Sequence, residues 1–148
     1  MKKRTKSLLW LLGYGLLMLW LLFGQRIEGG HVDISLRGDA GKLNLIPFET
    51  VRLYWRLLQN TISPQLLIHA IVNLVGNVVM FVPLGLLLPR IWRRFHSFFR
   101  TVFFAVGLIC LIEAMQYFTG LGSCDIDDLI LNTAGVLVGY CIWKIKRK

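Results

Sequence analysis

The sequence has few acidic residues and few cysteines, and both shortages limit the classes of protein that it can encode. It contains 8 Asp and Glu against 17 Lys and Arg, with a formal net charge of +9. The basic residues lie in the gaps between apolar runs rather than in one patch, which argues against a nucleic-acid-binding protein. Three cysteines, two of them inside apolar runs, are not the disulfide framework of a small secreted domain.

Catalytic and metal-binding motifs are also lacking. The sequence contains no Ser-His-Asp set, Cys-His pair or group of metal ligands at a useful spacing, so it predicts neither a metal site nor a cofactor. Hydrophobic residues are abundant instead, at 55% of the chain, and the mean hydropathy is +0.60. A soluble core of 148 residues could not bury so much apolar surface, so we predict an integral membrane protein.

Four apolar runs predict an all-α bundle of four transmembrane helices. They cover residues 8–24, 65–88, 99–118 and 127–143, and a helical span needs about 20 residues. Backbone groups must be paired within lipid, which favours helices in all four runs. The first run is too long for a signal-peptide core and is followed by no small-residue cleavage site, so we predict that it is retained. Residues 1–148 should form one membrane domain.

The positions of the basic residues predict the orientation. Twelve of the 17 fall into three clusters, and an even number of spans places all three on one side of the membrane. Basic loops mark the cytoplasmic side, so we predict a multi-pass protein of the plasma membrane with both termini in the cytoplasm. The clusters are Lys2, Lys3, Arg4 and Lys6; Arg90, Arg93, Arg94 and Arg100; and Lys144, Lys146, Arg147 and Lys148.

The predicted outer loop, residues 25–64, contains an amphipathic segment after Pro47. Arg52 and Arg56 lie four residues apart on one face, and apolar side chains recur at helical spacing on another. This pattern predicts an interfacial helix with its arginines level with lipid phosphates. An ordinary amphipathic connector would explain the spacing equally well. The apolar positions are Val51, Tyr54, Trp55 and Leu58.

Polar residues within three of the spans lie in the predicted outer half of the membrane. Glu113 is the most informative, because a carboxylate at membrane depth costs about 2.5–3.5 kcal/mol and persists where it has partners or a function. We predict a polar pocket that opens outward, although each amide alone could be interhelical glue and Asp125 suits the N-cap of the fourth span. The candidate pocket residues are Asn73, Asn77, Glu113, Gln116, Asp125, Asp128 and Asn132.

Small residues on the spans predict where helices approach closely. Gly135 and Gly139 continue the narrow face of Asp128 and Asn132, and a small-xxx-small pair of this kind lets two backbones pack together. Pro83 and Gly85 in the second span are the predicted counterparts.

The ordered set of these residues resembles the VanZ-like family. The resemblance rests on Asn73-x3-Asn77-x3-Phe81-x-Pro83-x-Gly85, Glu113-x2-Gln116 and Asp125-x2-Asp128-x3-Asn132-x2-Gly135-x3-Gly139, with Asn44-Leu-Ile-Pro47-Phe48 upstream. Many members carry an arginine just before the Asp-x-x-Asp turn, where this chain has Leu121-Gly122-Ser123-Cys124. The resemblance implies a role in the cell envelope and an association with resistance to teicoplanin-type glycopeptides.

Three functions remain open at this point. We favour a protein that binds or shields a lipid-linked envelope component or a lipoglycopeptide, with Arg52 and Arg56 at phosphate. The second is an intramembrane enzyme in which Glu113 and Asp128, with His69, act as acid and base on a lipid headgroup. The third is a proton-coupled transporter, which would require a homo-oligomer because four spans contain no evident inverted repeat. Membrane lipids are partners in all three.

The predicted topology can be tested with Cys124, which precedes the fourth span. An impermeant thiol reagent applied to intact cells should modify Cys124, because this turn lies outside if the basic clusters lie inside. If Cys124 is labelled only after the cells are lysed, the predicted orientation is wrong.

Overall fold

The computed structural model describes residues 3–24, 43–60 and 63–147. Four of its helices are long and apolar enough to cross a membrane, which confirms the predicted all-α, multi-pass architecture. The elements are α1 (Lys3–Leu19), which continues as a π-helical turn (Trp20–Gly24); β1 (Leu43–Asn44); α2 (Glu49–Asn60); α3 (Pro64–Ile91); a 3-10 turn (Arg93–His96); α4 (Phe98–Thr119); β2 (Cys124–Asp125); and α5 (Ile126–Lys146).

The closest helix pair is α3 with α5, and glycines make the approach possible. A Cβ atom added at Gly135 would overlap the carbonyl oxygen of Val78, and one at Gly139 would overlap that of Val82. Gly85 approaches the α5 backbone in the same way. Both helix backbones therefore lie in contact, as in other small-residue membrane interfaces. Pro83 lies within α3 without ending it.

The remaining spans pack around this pair. The Tyr14 hydroxyl on α1 donates to the Met80 carbonyl oxygen on α3 at 2.9 Å. Phe81, Ile109 and Val136 are almost completely buried where α3, α4 and α5 meet. Apolar side chains on the outside of a transmembrane bundle face lipid and do not have to be buried by protein. The small core and the many exposed apolar side chains are therefore expected for a bundle of four transmembrane helices.

The end of the bundle that carries the 3-10 turn is basic and is fixed by hydrogen bonds. Tyr140 near the end of α5 donates to the His96 carbonyl oxygen at 2.6 Å, and Arg147 Nη1 lies 3.2 Å from His96 Nδ1. Thr101 donates to the Phe95 carbonyl oxygen at 2.8 Å. The second and third basic clusters therefore share one end of the bundle, as the topology prediction requires.

The opposite end carries the two short strands. β1 and β2 pair in parallel, with Leu43 opposite Cys124 and Asn44 opposite Asp125. This pairing attaches the loop before α2 to the turn before α5, so that both segments belong to one polar structure. An amphipathic α2 forms as predicted, whereas its position at a membrane interface stays a prediction.

The glycine contact predicts the effect of enlarging Gly139. Gly139→Leu should destabilise the folded protein by about 1–3 kcal/mol or more, because its side chain would force the α3 and α5 backbones apart. Thermal unfolding in detergent measures this loss. Gly107→Leu is the matched control, since a Cβ atom at Gly107 meets nothing within 4 Å. Equal stability of the two variants would contradict the contact.

Candidate functional site

Asp125 is the last residue of β2 and directly precedes α5. Its side chain connects these two elements to the segment before α2. Its Oδ1 accepts a hydrogen bond from the Asp127 backbone N–H at 2.8 Å, which confirms its predicted role as the N-cap of α5. Its Oδ2 accepts from the Thr50 hydroxyl at 2.6 Å and from the Asn44 side-chain amide at 3.2 Å. The carboxylate of Asp125 therefore binds the segment before α2 to the start of α5.

Asp127 is fully buried and binds the same segment through backbone groups. Its Oδ1 accepts from the Phe48 N–H at 2.5 Å, and its Oδ2 accepts from the Val51 N–H at 3.0 Å. Both N–H groups lie at the beginning of α2, where backbone donors lack intrahelical partners. Asp127, which belongs to α5, therefore caps α2.

The backbone of this segment is unusual at Phe48, whose φ is +63°. The left-handed region costs a residue with a large side chain about 1–2 kcal/mol. Asn44 Oδ1 also accepts from the Ile46 N–H at 3.2 Å, which adds a local turn. The hydrogen bonds that Asp125 and Asp127 accept from this segment offset the strain at Phe48 and hold residues 44–51 in one conformation.

Sequence reasoning missed Asp127, Asn44, Thr50 and Phe48 as parts of the site. One signal was available, since Asp125-Ile126-Asp127-Asp128 contains more carboxylates than a single N-cap uses. The resemblance in residues 44–48 was a second signal, but nothing in the spacing pairs those residues with a turn about eighty positions later.

Asp128 and Asn132 lie on the face of α5 that packs against α3. Asn77 Nδ2 donates to Asp128 Oδ1 at 2.5 Å, which connects the two helices in their polar half. Asn132 is 3% exposed, and its Oδ1 has no hydrogen-bond partner within the described part of the chain. The same holds for the buried Thr133 hydroxyl. Such groups are costly in a membrane unless a ligand or water satisfies them.

Glu113 and Gln116 bring α4 to the same cluster. Each is 5% exposed. Glu113 Oε2 accepts from the Asp125 backbone N–H at 3.4 Å, and Gln116 Nε2 donates to the Leu22 carbonyl oxygen at 3.4 Å. Asn73 is oriented differently, because its amide donates to the His69 carbonyl oxygen of its own helix at 3.0 Å.

The acidic cluster is therefore assembled from two transmembrane helices and the turn between them. We give this name to Glu113, Asp125, Asp127 and Asp128, with Asn77 as their partner from α3. Neither the cleft on α2 nor the apolar groove described below is lined by these side chains. The predicted outward pocket around Glu113 and Asp128 thus stays a prediction. No group of three or more His, Cys, Asp and Glu among the described residues is arranged to hold a metal ion.

Arg52 and Arg56 lie together on α2, as the sequence predicts. They line a cleft of about 200 Å³ with Ile46, Glu49 and Leu53. Both arginines are exposed. Because Asp127 fixes the start of α2, this cleft has a defined position relative to the acidic cluster.

Cys124 is half-buried beside this cluster, and its environment affects the topology experiment. Burial, and then the negative charge of Glu113, raise the pKa of the Cys124 thiol above its usual value. Less thiolate is present at neutral pH, so maleimide reacts slowly. Labelling at pH 8 or above is therefore needed. Thr119→Cys, at the end of α4 that leads into the same turn, provides a second, exposed reporter.

The two hydrogen bonds to Asp127 predict a structural role for this carboxylate. Asp127→Asn should destabilise the folded protein by about 1–3 kcal/mol, because an amide NH₂ would face a backbone N–H in a buried site. Limited proteolysis should then cut residues 43–60 faster than in the wild type. Glu49→Gln also removes one charge at the start of α2 but keeps both hydrogen bonds to Asp127, so it is the control and should have a smaller effect. Cleavage of residues 43–60 in Asp127→Asn at the same rate as in the wild type would contradict this role.

Comparisons with known proteins place these features in a family. The VanZ/LLP1 family model matches residues 11–147, and "Protein VanZ" of Enterococcus faecium is 31% identical over 76 residues. That alignment covers 51% of this chain and 47% of the relative, so it spans about half the length of the curated protein. No solved structure matches. Since the family model covers nearly the whole chain, including most of the first span, the other three spans and the acidic cluster, this membrane protein belongs to the VanZ/LLP1 family.

Proposed function

We propose that this protein binds or shields an anionic, lipid-bearing component of the cell envelope at the outer face of the plasma membrane. The ligand would be a lipid-linked envelope component or a teicoplanin-type lipoglycopeptide, in line with the resistance associated with the family. The observation that carries the proposal is the cleft of Arg52 and Arg56 on a helix whose start is fixed by buried carboxylates.

The chemistry of this cleft suits phosphate or carboxylate. An arginine can present two parallel N–H donors to such a group, and charge-assisted hydrogen bonds are about twice as strong as neutral ones. Two arginines one helical turn apart can share one anion. Fixing α2 before binding lowers the entropy cost of association, because the backbone that carries the two arginines is already in place.

The polar groups beneath α2 supply a second set of contacts. Asn77, Glu113, Asp128 and Asn132 can hydrogen-bond sugar hydroxyls or peptide groups if the ligand extends toward the bundle. The free Oδ1 of Asn132 supports this extension, because a hydroxyl or N–H of the ligand would satisfy it. The outward polar pocket predicted from the sequence is thus the inner part of the proposed site.

An intramembrane enzyme remains the second candidate, supported by the burial of Glu113. Asp125 and Asp127 are poor candidates for proton transfer, because backbone and side-chain donors occupy their oxygens. Glu113 and Asp128 would then have to act as acid and base. The two proposals differ in whether the substitution of Glu113 abolishes binding or only turnover.

Paired variants test the proposal in a glycopeptide-susceptible host and with purified protein. The double variant Arg52→Gln/Arg56→Gln should accumulate normally and bind teicoplanin about tenfold more weakly or worse, because charged hydrogen bonds contribute about 1.5–3 kcal/mol each. Arg100→Gln, which removes a charge at the opposite end of the bundle, should bind as the wild type. Equal binding by the double variant and the control would overturn the proposal.

Glu113→Gln separates the candidates in the same assays. It keeps the shape of the side chain and removes the ionisable group, so accumulation should be normal. We expect weaker binding and lost resistance if Glu113 lines the inner part of the site. Wild-type binding with lost resistance would favour the enzyme, and full activity would show that this carboxylate has no functional role.

A further inference from the structure

A long apolar groove lies between α1, α3 and α4. Its volume is about 550 Å³, and its lining includes Tyr14, Met18 and Phe81. On α1 it extends from Leu11 to Phe23, and on α4 from Phe104 to Met115. Twelve residues of helix are about 18 Å long, more than half of the roughly 30 Å hydrocarbon thickness of a bilayer. The groove therefore begins near the basic end and extends past the middle of the bilayer.

The lining of the groove favours a lipid with an anionic headgroup. Apart from Arg94, the side chains that line it are uncharged and mostly aliphatic or aromatic, so a hydrocarbon chain can lie against them. A phospholipid supplies both this chain and a phosphate for Arg94, whereas a transmembrane helix supplies only the apolar surface.

One end of the groove is charged. Among the residues that line it, Arg94 carries the charge, and it belongs to the basic end of the bundle. Its guanidinium carbon lies 4.9 Å from the Phe95 ring centroid and 6.0 Å from that of Trp92, so its charge lies close to two aromatic rings. Arg94 is exposed, as are Arg90 and Arg93 beside it.

The backbone that carries Arg94 is also fixed. Thr101 donates to the Phe95 carbonyl oxygen, and Tyr140 donates to that of His96, so the 3-10 turn is attached to both α4 and α5. Phe95 is 4% exposed and anchors the turn in the core. An exposed cation on a fixed backbone at the mouth of an apolar groove can bind an anion that has a hydrocarbon tail.

We propose that this groove binds one acyl chain of an anionic phospholipid, with the lipid phosphate at Arg94. Basic pockets between transmembrane helices bind anionic lipid headgroups in this manner. The lipid would come from the leaflet at the basic end, which is the cytoplasmic leaflet in the predicted topology. The phosphate position at Arg94 lies at the other end of the bundle from Arg52 and Arg56, so this proposal does not depend on the function proposed above.

Thermal stability of the purified full-length chain in detergent tests the site. Added phosphatidylglycerol should raise the midpoint of unfolding more than the same amount of phosphatidylcholine. Arg94→Gln should weaken the apparent affinity for phosphatidylglycerol about fivefold, the factor equivalent to about 1 kcal/mol per basic residue. Arg100→Gln removes an exposed charge from the same end without lining the groove and should bind nearly as the wild type.

A second pair of variants tests the chain rather than the headgroup. Leu16 lines the groove and is 70% exposed, whereas the neighbouring Leu17 is 52% exposed and lies outside it. Leu16→Trp should fill the groove and abolish the preference for phosphatidylglycerol, and Leu17→Trp should keep it. Both side chains are exposed, so neither variant should disturb folding.

Three results would overturn the proposal. Equal stabilisation of the wild type by the two lipids would show a non-selective lipid contact. Equal affinities of Arg94→Gln and Arg100→Gln would place the headgroup elsewhere. An unchanged lipid preference in Leu16→Trp would show that the chain does not occupy the groove.

Discussion

The end of the bundle that carries the two strands depends on two carboxylates at the meeting point of two helix N-termini. Asp125 and Asp127 cap α5 and α2 respectively, and both lie where backbone N–H groups and helix dipoles favour negative charge. A neutral amide would offer fewer acceptor positions there and no dipole stabilisation. The same two side chains therefore fix the start of a transmembrane helix and attach a loop about eighty residues away in sequence.

The glycine interface determines how the rest of the acidic cluster is built. Because α3 and α5 are in backbone contact at Gly135 and Gly139, their side chains farther along the same face are close enough for Asn77 to reach Asp128. Larger residues at the glycines would separate the helices and leave Asp128 without that partner in the membrane. The close approach of α3 and α5 thus produces both the glycine contact and the hydrogen bond between Asn77 and Asp128. This explains why glycines and polar residues share one face of α5.

The features that follow from local periodicity could be predicted from the sequence. Hydropathy located the four spans, and the i, i+3, i+4 spacing brought Asp128, Asn132 and the two glycines to one face. The parallel pairing of β1 with β2 and the capping of α2 by Asp127 could not be predicted, because contacts between distant segments leave no periodic signal. The positive φ of Phe48 is stable only because those contacts exist, so no local preference would indicate it.

Charge is segregated along the bundle, and the segregation separates two kinds of recognition. At the basic end, Arg94 stands at the mouth of an apolar groove, where a charged headgroup and a hydrocarbon tail can be bound together. At the other end Asp125 and Asp127 are buried and the arginines of α2 are exposed, so the anionic ligand that we propose would meet Arg52 and Arg56 first. The buried acids would repel such a ligand if they were exposed. Because they are covered by residues 44–51, their charge instead stabilises the helix that presents the arginines.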